Sequence, residues 1–376
     1  MKIDGRPLRP LRALGAPGTR DAIEVIDQRA LPHALRFERL ARAGEVHTAI
    51  RDMWLRGAPL IGAAAAYGVA LEMARDGSDD ALARTVAHLR SARPTAVNLA
   101  WALARMERRL ISLSPAERGA AAWSEADAIA EQDVAANHAI GRHGLALIER
   151  IACRPGRAPG PVRVLTHCNA GFLATVDWGT ATAPIYLAHE AGIALHVWVD
   201  ETRPRNQGAS LTAWELGHAG VPLAVVADNA GGHLMQRGEV DIVFVGCDRV
   251  AANGDVCNKI GTYLKALAAH DNGVPFYVAM PTSTFDPDMA SGADIPIEER
   301  AAHELTHVSG RDASGQVREV CIVPEGTRAA NPAFDVTPAR LVSGLVTEHG
   351  VVAASADTLR ALAAQAAQAA RAAGAT

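Results

Sequence analysis

The sequence predicts an α/β protein, with a mainly helical N-terminal domain over residues 1–155 and a doubly wound, parallel-sheet domain over residues 156–376. Three observations carry this. Apolar side chains up to about residue 150 follow a 3.6-residue period rather than a period of two. The stretch Gly156–Pro161, with two glycines and two prolines, then breaks any helix. Beyond it, short apolar runs recur, most of them separated by segments long enough for a crossover helix, which is the pattern of a buried parallel sheet.

In order along the chain, Ala22 through Ile26 alternates as a short strand. Helical spacing follows over Glu45–Leu55, Ile61–Ala74, Asp80–Ser91, Ala96–Leu110 and a long stretch from Ser124 to Ile151. The predicted parallel strands are Val162–Thr166, Ala194–Val199, Leu223–Ala227, Ile242–Val245 and Phe276–Ala279. Val317–Val323 reads as one arm of a hairpin turned at Ser314-Gly315, and the alanine-rich tail from Thr358 reads as a helix.

Bulk properties narrow the function. The chain has 376 residues, 49% of them hydrophobic, which is ample for a core and suggests two domains. A net charge of −4 gives no electrostatic reason to expect nucleic acid or an anionic membrane as partner. A small phosphorylated ligand needs only a local cationic site. Cys153, Cys168, Cys247, Cys257 and Cys321 are scattered without a CxxC pair, so a reducing, cytoplasmic setting is expected. No apolar run reaches the ~20 residues of a membrane span, and the start lacks the apolar core of a secretory signal. Arginine is used throughout. The three lysines are Lys2, Lys259 and Lys265, and a lysine inside a polar motif therefore stands out.

The functional signal lies at the strand ends. The five predicted parallel strands are followed in turn by His167-Cys168-Asn169-Ala170-Gly171, by Asp200-Glu201-Thr202-Arg203-Pro204 with Gln207-Gly208, by Asp228-Asn229, by Gly246-Cys247-Asp248-Arg249, and by Pro281-Thr282-Ser283-Thr284. In a doubly wound sheet the carboxyl ends of the strands share one edge, where ligands bind. Any one of these loops could be ordinary turn chemistry; five together mark a site. There is no GxGxxG and no Walker pattern. Arg56-Gly57-Ala58, Arg93-Pro94-Thr95 and Asn258-Lys259 are candidate holders of a single phosphate. His303-Glu304-Leu305-Thr306-His307 matches the HExxH zinc pattern. It sits between a proline-containing segment and a predicted hairpin rather than on a long helix, so zinc is not expected.

These loops, together with Ile61-Gly62, Asn253-Gly254-Asp255, Ile260-Gly261-Thr262-Tyr263 and Ile295-Pro296-Ile297-Glu298-Glu299-Arg300, resemble the methylthioribose-1-phosphate isomerases from about residue 20 to 345. The wider superfamily includes the regulatory subunits of the eukaryotic translation-initiation exchange factor and archaeal ribose-1,5-bisphosphate isomerases. The contexts of Cys168 and Asp248 match the enzymes. The resemblance implies a helical N-terminal domain, a Rossmann-like C-terminal domain, a homodimer, a sugar-phosphate substrate, a place in methionine salvage and no metal or nucleotide cofactor. It implies Asp248 and Cys168 as the catalytic pair and Arg56, Gly57, Ala58, Arg93, Gln207, Asn258 and Lys259 as substrate contacts. Two departures, Cys247 and Cys257, place extra thiols near the acid.

The implied reaction opens a ring whose C1 hydroxyl is blocked by phosphate, so the ring oxygen needs an acid. A carboxyl in an apolar pocket can have the raised pKa that role requires. The plain alternatives are an Asp248 that caps a turn or pairs with Arg249, a buried inert Cys168, and solvated arginines. At a strand-to-helix junction Cys168 can have a pKa depressed by the helix N-terminus and act as a base or a stabiliser at C2, the C2 hydrogen leaving as a proton to Cys168 or passing to C1 as a hydride. The apolar stretch Ile61–Tyr67 is either a methylthio pocket or plain core. Alternative functions are isomerisation of 5-deoxyribose 1-phosphate or ribose 1,5-bisphosphate, or a non-catalytic regulatory subunit.

Overall fold

A computed structural model describes residues 1–3, 5–93 and 96–374. After a short antiparallel pair, Lys2–Ile3 with Arg6–Pro7, comes a three-stranded antiparallel sheet, β1 (Leu11–Leu14), β2 (Ala22–Ile26) and β3 (Phe37–Leu40), with β2 in the middle. Five helices follow: α1 (Ala43–Arg51), α2 (Ala58–Met73), α3 (Asp79–Arg90), α4 (Val97–Leu110) and α5 (Pro115–Ala152). α2 is apolar on every side and buried almost throughout, so it forms the axis around which the other four pack. α5 begins at Pro115, nine residues before the predicted start, because Ser114 and Glu117 form a reciprocal capping box and proline suits the first helical position.

The C-terminal half of α5 leaves that bundle. Ile140, Leu147 and Ile148 belong to the core beneath the large sheet, so this one helix joins both halves of the molecule.

The large sheet has seven strands: β4 (Val162–Thr166), β5 (Leu195–Asp200), β6 (Leu223–Val226), β7 (Ile242–Val245), β8 (Phe276–Ala279), β9 (Gly344–Thr347) and β10 (Gly350–Val352). Their order across the sheet is β10-β9-β8-β7-β4-β5-β6, parallel except for the edge hairpin β9–β10. The chain builds outward from β4 to β5 and β6, then returns to β7 on the other side of β4. That reversal between β4 and β7 is the topological switch point, where a crevice opens at the strand tips. The four residues of β7 are all buried, as a strand covered by helices on both faces requires.

Above this edge lies a second sheet that sequence reasoning did not anticipate. Its strands run in the order Phe285–Asp286, Arg249–Ala251, Val256–Lys259 and Phe334–Thr337. The hairpin pairs His307–Arg311 with Val317–Cys321, and Gly315 turns it at φ +81°. The histidines of the HExxH motif fall on a single helical turn (His303–Thr306) and on the first residue of the following strand, so they do not share a helix.

Candidate active site

All nine residues singled out by sequence line one cavity: Arg56, Gly57, Ala58, Arg93, Cys168, Gln207, Asp248, Asn258 and Lys259. Pro94 and Thr95 of the Arg93 motif lie outside the described residues. The cavity sits at the β4/β7 switch point, roofed by the start of α2 on one side and by the second sheet on the other.

Cys168 follows β4 by one residue and adopts φ +64°. This left-handed conformation costs a non-glycine residue on the order of 1–3 kcal/mol, and surrounding contacts must hold it. They do: the Cys168 N–H donates to Thr202 Oγ1 at 2.8 Å, and Thr212 Oγ1 donates to its carbonyl at 2.7 Å. Thr212 ends a π-helical turn, Gly208–Thr212, whose first residue lies so close to the Asp200 carbonyl that a Cβ there would approach to 1.7 Å. The same turn begins just after Gln207, whose buried Oε1 has no hydrogen-bond partner among the described residues.

The expected helix N-terminus at Cys168 is absent. The chain runs instead through Gly171 into a short 3₁₀ turn, Phe172–Ala174, and the next α-helix, α6, starts at Ala183. Burial therefore decides the thiol, pushing its pKa up against the opposing pull of Arg56 and Lys259. This corrects the expectation of a depressed value: the resting group is a neutral thiol.

Asp248 sits at the tip of β7. Its N–H donates to the Cys257 carbonyl at 2.9 Å, and no described residue hydrogen-bonds its carboxyl group. Arg249 turns away and pairs with Asp286 at 3.1 Å, so the adjacent-pair alternative does not hold. Burial raises the Asp248 pKa, with Lys259, Arg93 and Arg56 opposing. Asp248 is thus a carboxyl group kept toward its neutral form among three cations.

Those cations come from three elements. Arg56 precedes α2; its Nη1 donates to Asn169 Oδ1 at 2.9 Å and its Nη2 to the Asn169 carbonyl. Gly57, at φ +103°, lets the chain pass Ala174, whose carbonyl would lie 2.3 Å from any Cβ. Lys259 lies directly across the second sheet from Phe334. Its ammonium rests 4.6 Å from that ring's centre and donates to the Ala333 carbonyl at 2.9 Å. Arg93 pairs with Glu298 at 3.0 Å. Glu298 also binds Arg300, a cavity residue that sequence reasoning left outside the site although it ends the quoted Ile295–Arg300 motif. Asn169, from the His167–Gly171 loop already marked by sequence, joins Thr175, Thr180 and Phe334 in the polar and aromatic lining; nothing in the local sequence of the last three marks them out.

Behind the thiol lies a buried ionic network. His167 Nδ1 meets Asp200 Oδ2 at 3.0 Å and its Nε2 donates to the Ile260 carbonyl at 2.8 Å. Lys265 Nζ reaches the same Asp200 oxygen at 3.1 Å and also donates to the Asp228 carbonyl. His167, Asp200 and Asp228 bring ligand-type atoms within 4.8 Å of one another, but Lys265 already supplies the positive charge there. Lys265 therefore ties strand tips together rather than facing ligand.

A small apolar recess opens beside Asp248, lined by Ala58, Ile61, Ala96, Ile295, Pro296 and Phe334 with Arg93 and Arg249 at its rim. The rest of the Ile61–Tyr67 stretch is core of the helical bundle.

The signature of the initiation factor 2 subunit family matches residues 55–354. A methylthioribose-1-phosphate isomerase from Methylocella silvestris is 57% identical over 96% of this chain and 98% of its own length, and one from Acidiphilium cryptum is 60% identical over 96% and 97%. The chain belongs to the methylthioribose-1-phosphate isomerase branch of the initiation factor 2 subunit family. Solved structures of the family agree. The 5-methylthioribose 1-phosphate isomerase of Pyrococcus horikoshii superposes with a TM-score of 0.80 at 37% identity, covering 94% of this chain and 95% of that one. The translation initiation factor eIF-2B delta subunit from A. fulgidus gives 0.74 at 38% identity, covering 92% and 96%. In this chain Cys247 and Cys257 stand beside the acid as half-buried and buried thiols, and both have raised pKa values from burial, Cys257 to about 12. They add no charge next to Asp248.

Proposed function

We propose that this chain is an aldose–ketose isomerase that converts 5-methylthio-α-D-ribose 1-phosphate to 5-methylthio-D-ribulose 1-phosphate in methionine salvage. The observation that carries the proposal is the meeting of a neutral thiol, a neutral-leaning carboxyl group and three cations in one cavity at the sheet's switch point. The relatives bearing the isomerase name, matched along nearly their whole length, support the choice of substrate.

Asp248 is the acid. It gives its proton to the ring oxygen, which opens a ring that the C1 phosphate otherwise locks closed. The hydrogen at C2 then passes with its electron pair to the electron-poor C1, the 2-hydroxyl becomes the ketone, and its proton returns to the Asp248 carboxylate. A thiol held neutral by burial is a poor resting base, so Cys168 serves as the uncharged wall at C2. Arg56, Arg93 and Lys259 hold the phosphoryl group with charge-assisted hydrogen bonds. Gly57 and Ala58 let the backbone approach it, Asn258 lines the same side, and the unpartnered Gln207 Oε1 accepts from a sugar hydroxyl. The recess at Ile61, Ile295 and Phe334 takes the methylthio group. A second phosphate would find there only Arg93 and Arg249, each already paired with a carboxylate, which favours a thioether over a bisphosphate. A homodimer in the cytoplasm, with units 1–155 and 156–376, completes the proposal.

The test uses purified protein and methylthioribose 1-phosphate deuterated at C2. Turnover with the label kept at C1 is expected. Label lost to solvent overturns the hydride step in favour of an enediol-type intermediate, and no turnover on this substrate, with turnover on ribose 1,5-bisphosphate, overturns the proposed specificity.

A further inference from the structure

The buried carboxyl group of Glu215 has no part in the steps above, yet it stands behind the phosphoryl-binding wall. It lies on the short helix α7 (Ala213–His218), immediately after the π-helical turn, and is fully inaccessible to solvent. Its Oε2 accepts from the Leu173 N–H at 3.2 Å, and its buried Oε1 has no partner at full hydrogen-bond distance among the described residues, while the Asn169 and Tyr186 side chains beside the carboxyl group favour its charged form. The fold makes room for it deliberately: a Cβ at Gly171 would lie 1.2 Å from Oε1. The titratable groups that face it are Arg56, from the loop before α2, and Tyr186, from α6 (Ala183–Glu190). Asp177 acts on Tyr186 from beyond, and Arg56 in turn faces Cys168, Asp248 and Arg93.

We propose that Glu215 is a positioning residue that sets the charge felt through Arg56: when it is ionised, a doubly charged phosphoryl group docks only together with a proton taken up from solvent, and when it is neutral the group docks without one. The reasoning is electrostatic. Arg56 is buried, and an ionised carboxylate behind it offsets the positive charge that the ligand needs in front. Docking a dianion brings further negative charge toward Glu215 and favours its neutral form. A phosphate monoester is already dianionic above pH ~7, its second pKa being about 6, so its own titration does not enter. The group is poised for this role, because burial raises its pKa to about 8, with the Leu173 N–H and Arg56 opposing. Below that pH Glu215 is already neutral and docking is unhindered. Above it, docking must first put the proton back, and affinity falls.

The inference rests on the phosphoryl-binding reading of the cavity, and Glu215→Gln separates the two. Gln keeps the shape and stays neutral at every pH. The measurement is KM for methylthioribose 1-phosphate against pH in both proteins. The ratio of wild-type to E215Q KM is expected to rise about tenfold between pH 7 and pH 9, the linkage for one group titrating near 8, with kcat changing in parallel in the two proteins. Lys259 and Cys168 titrate alike in both and cancel from the ratio. A flat ratio overturns the inference and leaves the isomerase reading intact; absence of turnover in the wild type defeats that reading instead. Should E215Q fail to fold, Glu215→Met takes its place: wild type and variant are each titrated calorimetrically with inorganic phosphate at pH 8 in two buffers of different ionisation heat, and the excess proton uptake of the wild type reads Glu215 alone, because Lys259, Cys168 and the phosphate contribute to both. Excess uptake of a substantial fraction of a proton supports the role, and an excess near zero overturns it.

Discussion

The two walls of the cavity are built on different principles. The wall at the parallel sheet's edge presents a thiol and a carboxyl group, both kept toward neutrality by burial, on backbone that is strained or tightly tied. The facing surfaces, from the start of α2, the loop after α3 and the second sheet, present cations, each anchored by a carbonyl, an amide or a carboxylate. Burial raises the acids because it penalises their charged forms, whereas the cations stay useful only because fixed dipoles and partners hold them. The lesson is a division of labour: reaction at the strand tips, grip at the facing wall.

The sharpest way to break this contrast is at the strand tips. Asp248→Asn should lower kcat by about 10²–10⁴-fold, the range for removing one positioned acid, while KM changes little. Cys168→Ser, which replaces the uncharged wall at C2 with a smaller, more polar hydroxyl, should lower kcat by less than Asp248→Asn does. In the wild type, the rate should fall as pH rises through the Asp248 pKa, because the acid must be protonated and that pKa lies above the usual carboxylate range. Full turnover in both variants would falsify the catalytic assignment.

The ionic network behind the thiol should matter for stability. Lys265→Met leaves Asp200, which is fully buried, without its ammonium partner and should cost about 3–5 kcal/mol, read as a lower midpoint in denaturant. An unchanged midpoint would mean that His167 alone satisfies the carboxylate.

On the gripping wall, Arg56→Ala should raise KM about 10- to 150-fold, equivalent to about 1.5–3 kcal/mol for a charge-assisted bond, with kcat falling much less. A loss confined to kcat would place Arg56 with the chemistry and erase the contrast. The smallest expected effect is at the recess. Ile61→Val removes one methylene from beside the methylthio group and should lower kcat/KM by only about fivefold to tenfold, the low end for one methylene, against no change for a substrate lacking the methylthio carbon.

Much of this site could be read along the chain because β4 to β8 are short, apolar and followed at once by their functional residues. His167-Cys168 and Gly246-Cys247-Asp248 are visible as polar interruptions right after apolar runs. What could not be read comes from short, mixed segments. The strand Val256–Lys259 contains Val, Cys, Asn and Lys with every side chain buried, so it shows neither alternation nor an apolar run. Phe334 reaches Lys259 only through a pairing 75 residues away in sequence. The Cys168 pKa runs opposite to the expected direction for a related reason: the expected helix after β4 is replaced by a 3₁₀ turn, Phe172–Ala174, beside which Gly171 packs against Glu215, a residue 44 positions away in sequence.

The division between grip and reaction is tested most directly by calorimetric titration of Asp248→Asn with methylthioribose 1-phosphate. The account predicts a dissociation constant within about threefold of the wild-type KM, since binding that is uniform to ground and transition states lies on the other wall, alongside a turnover loss of at least about 10²-fold. Affinity falling in step with turnover would contradict it, because the acid would then be part of the grip.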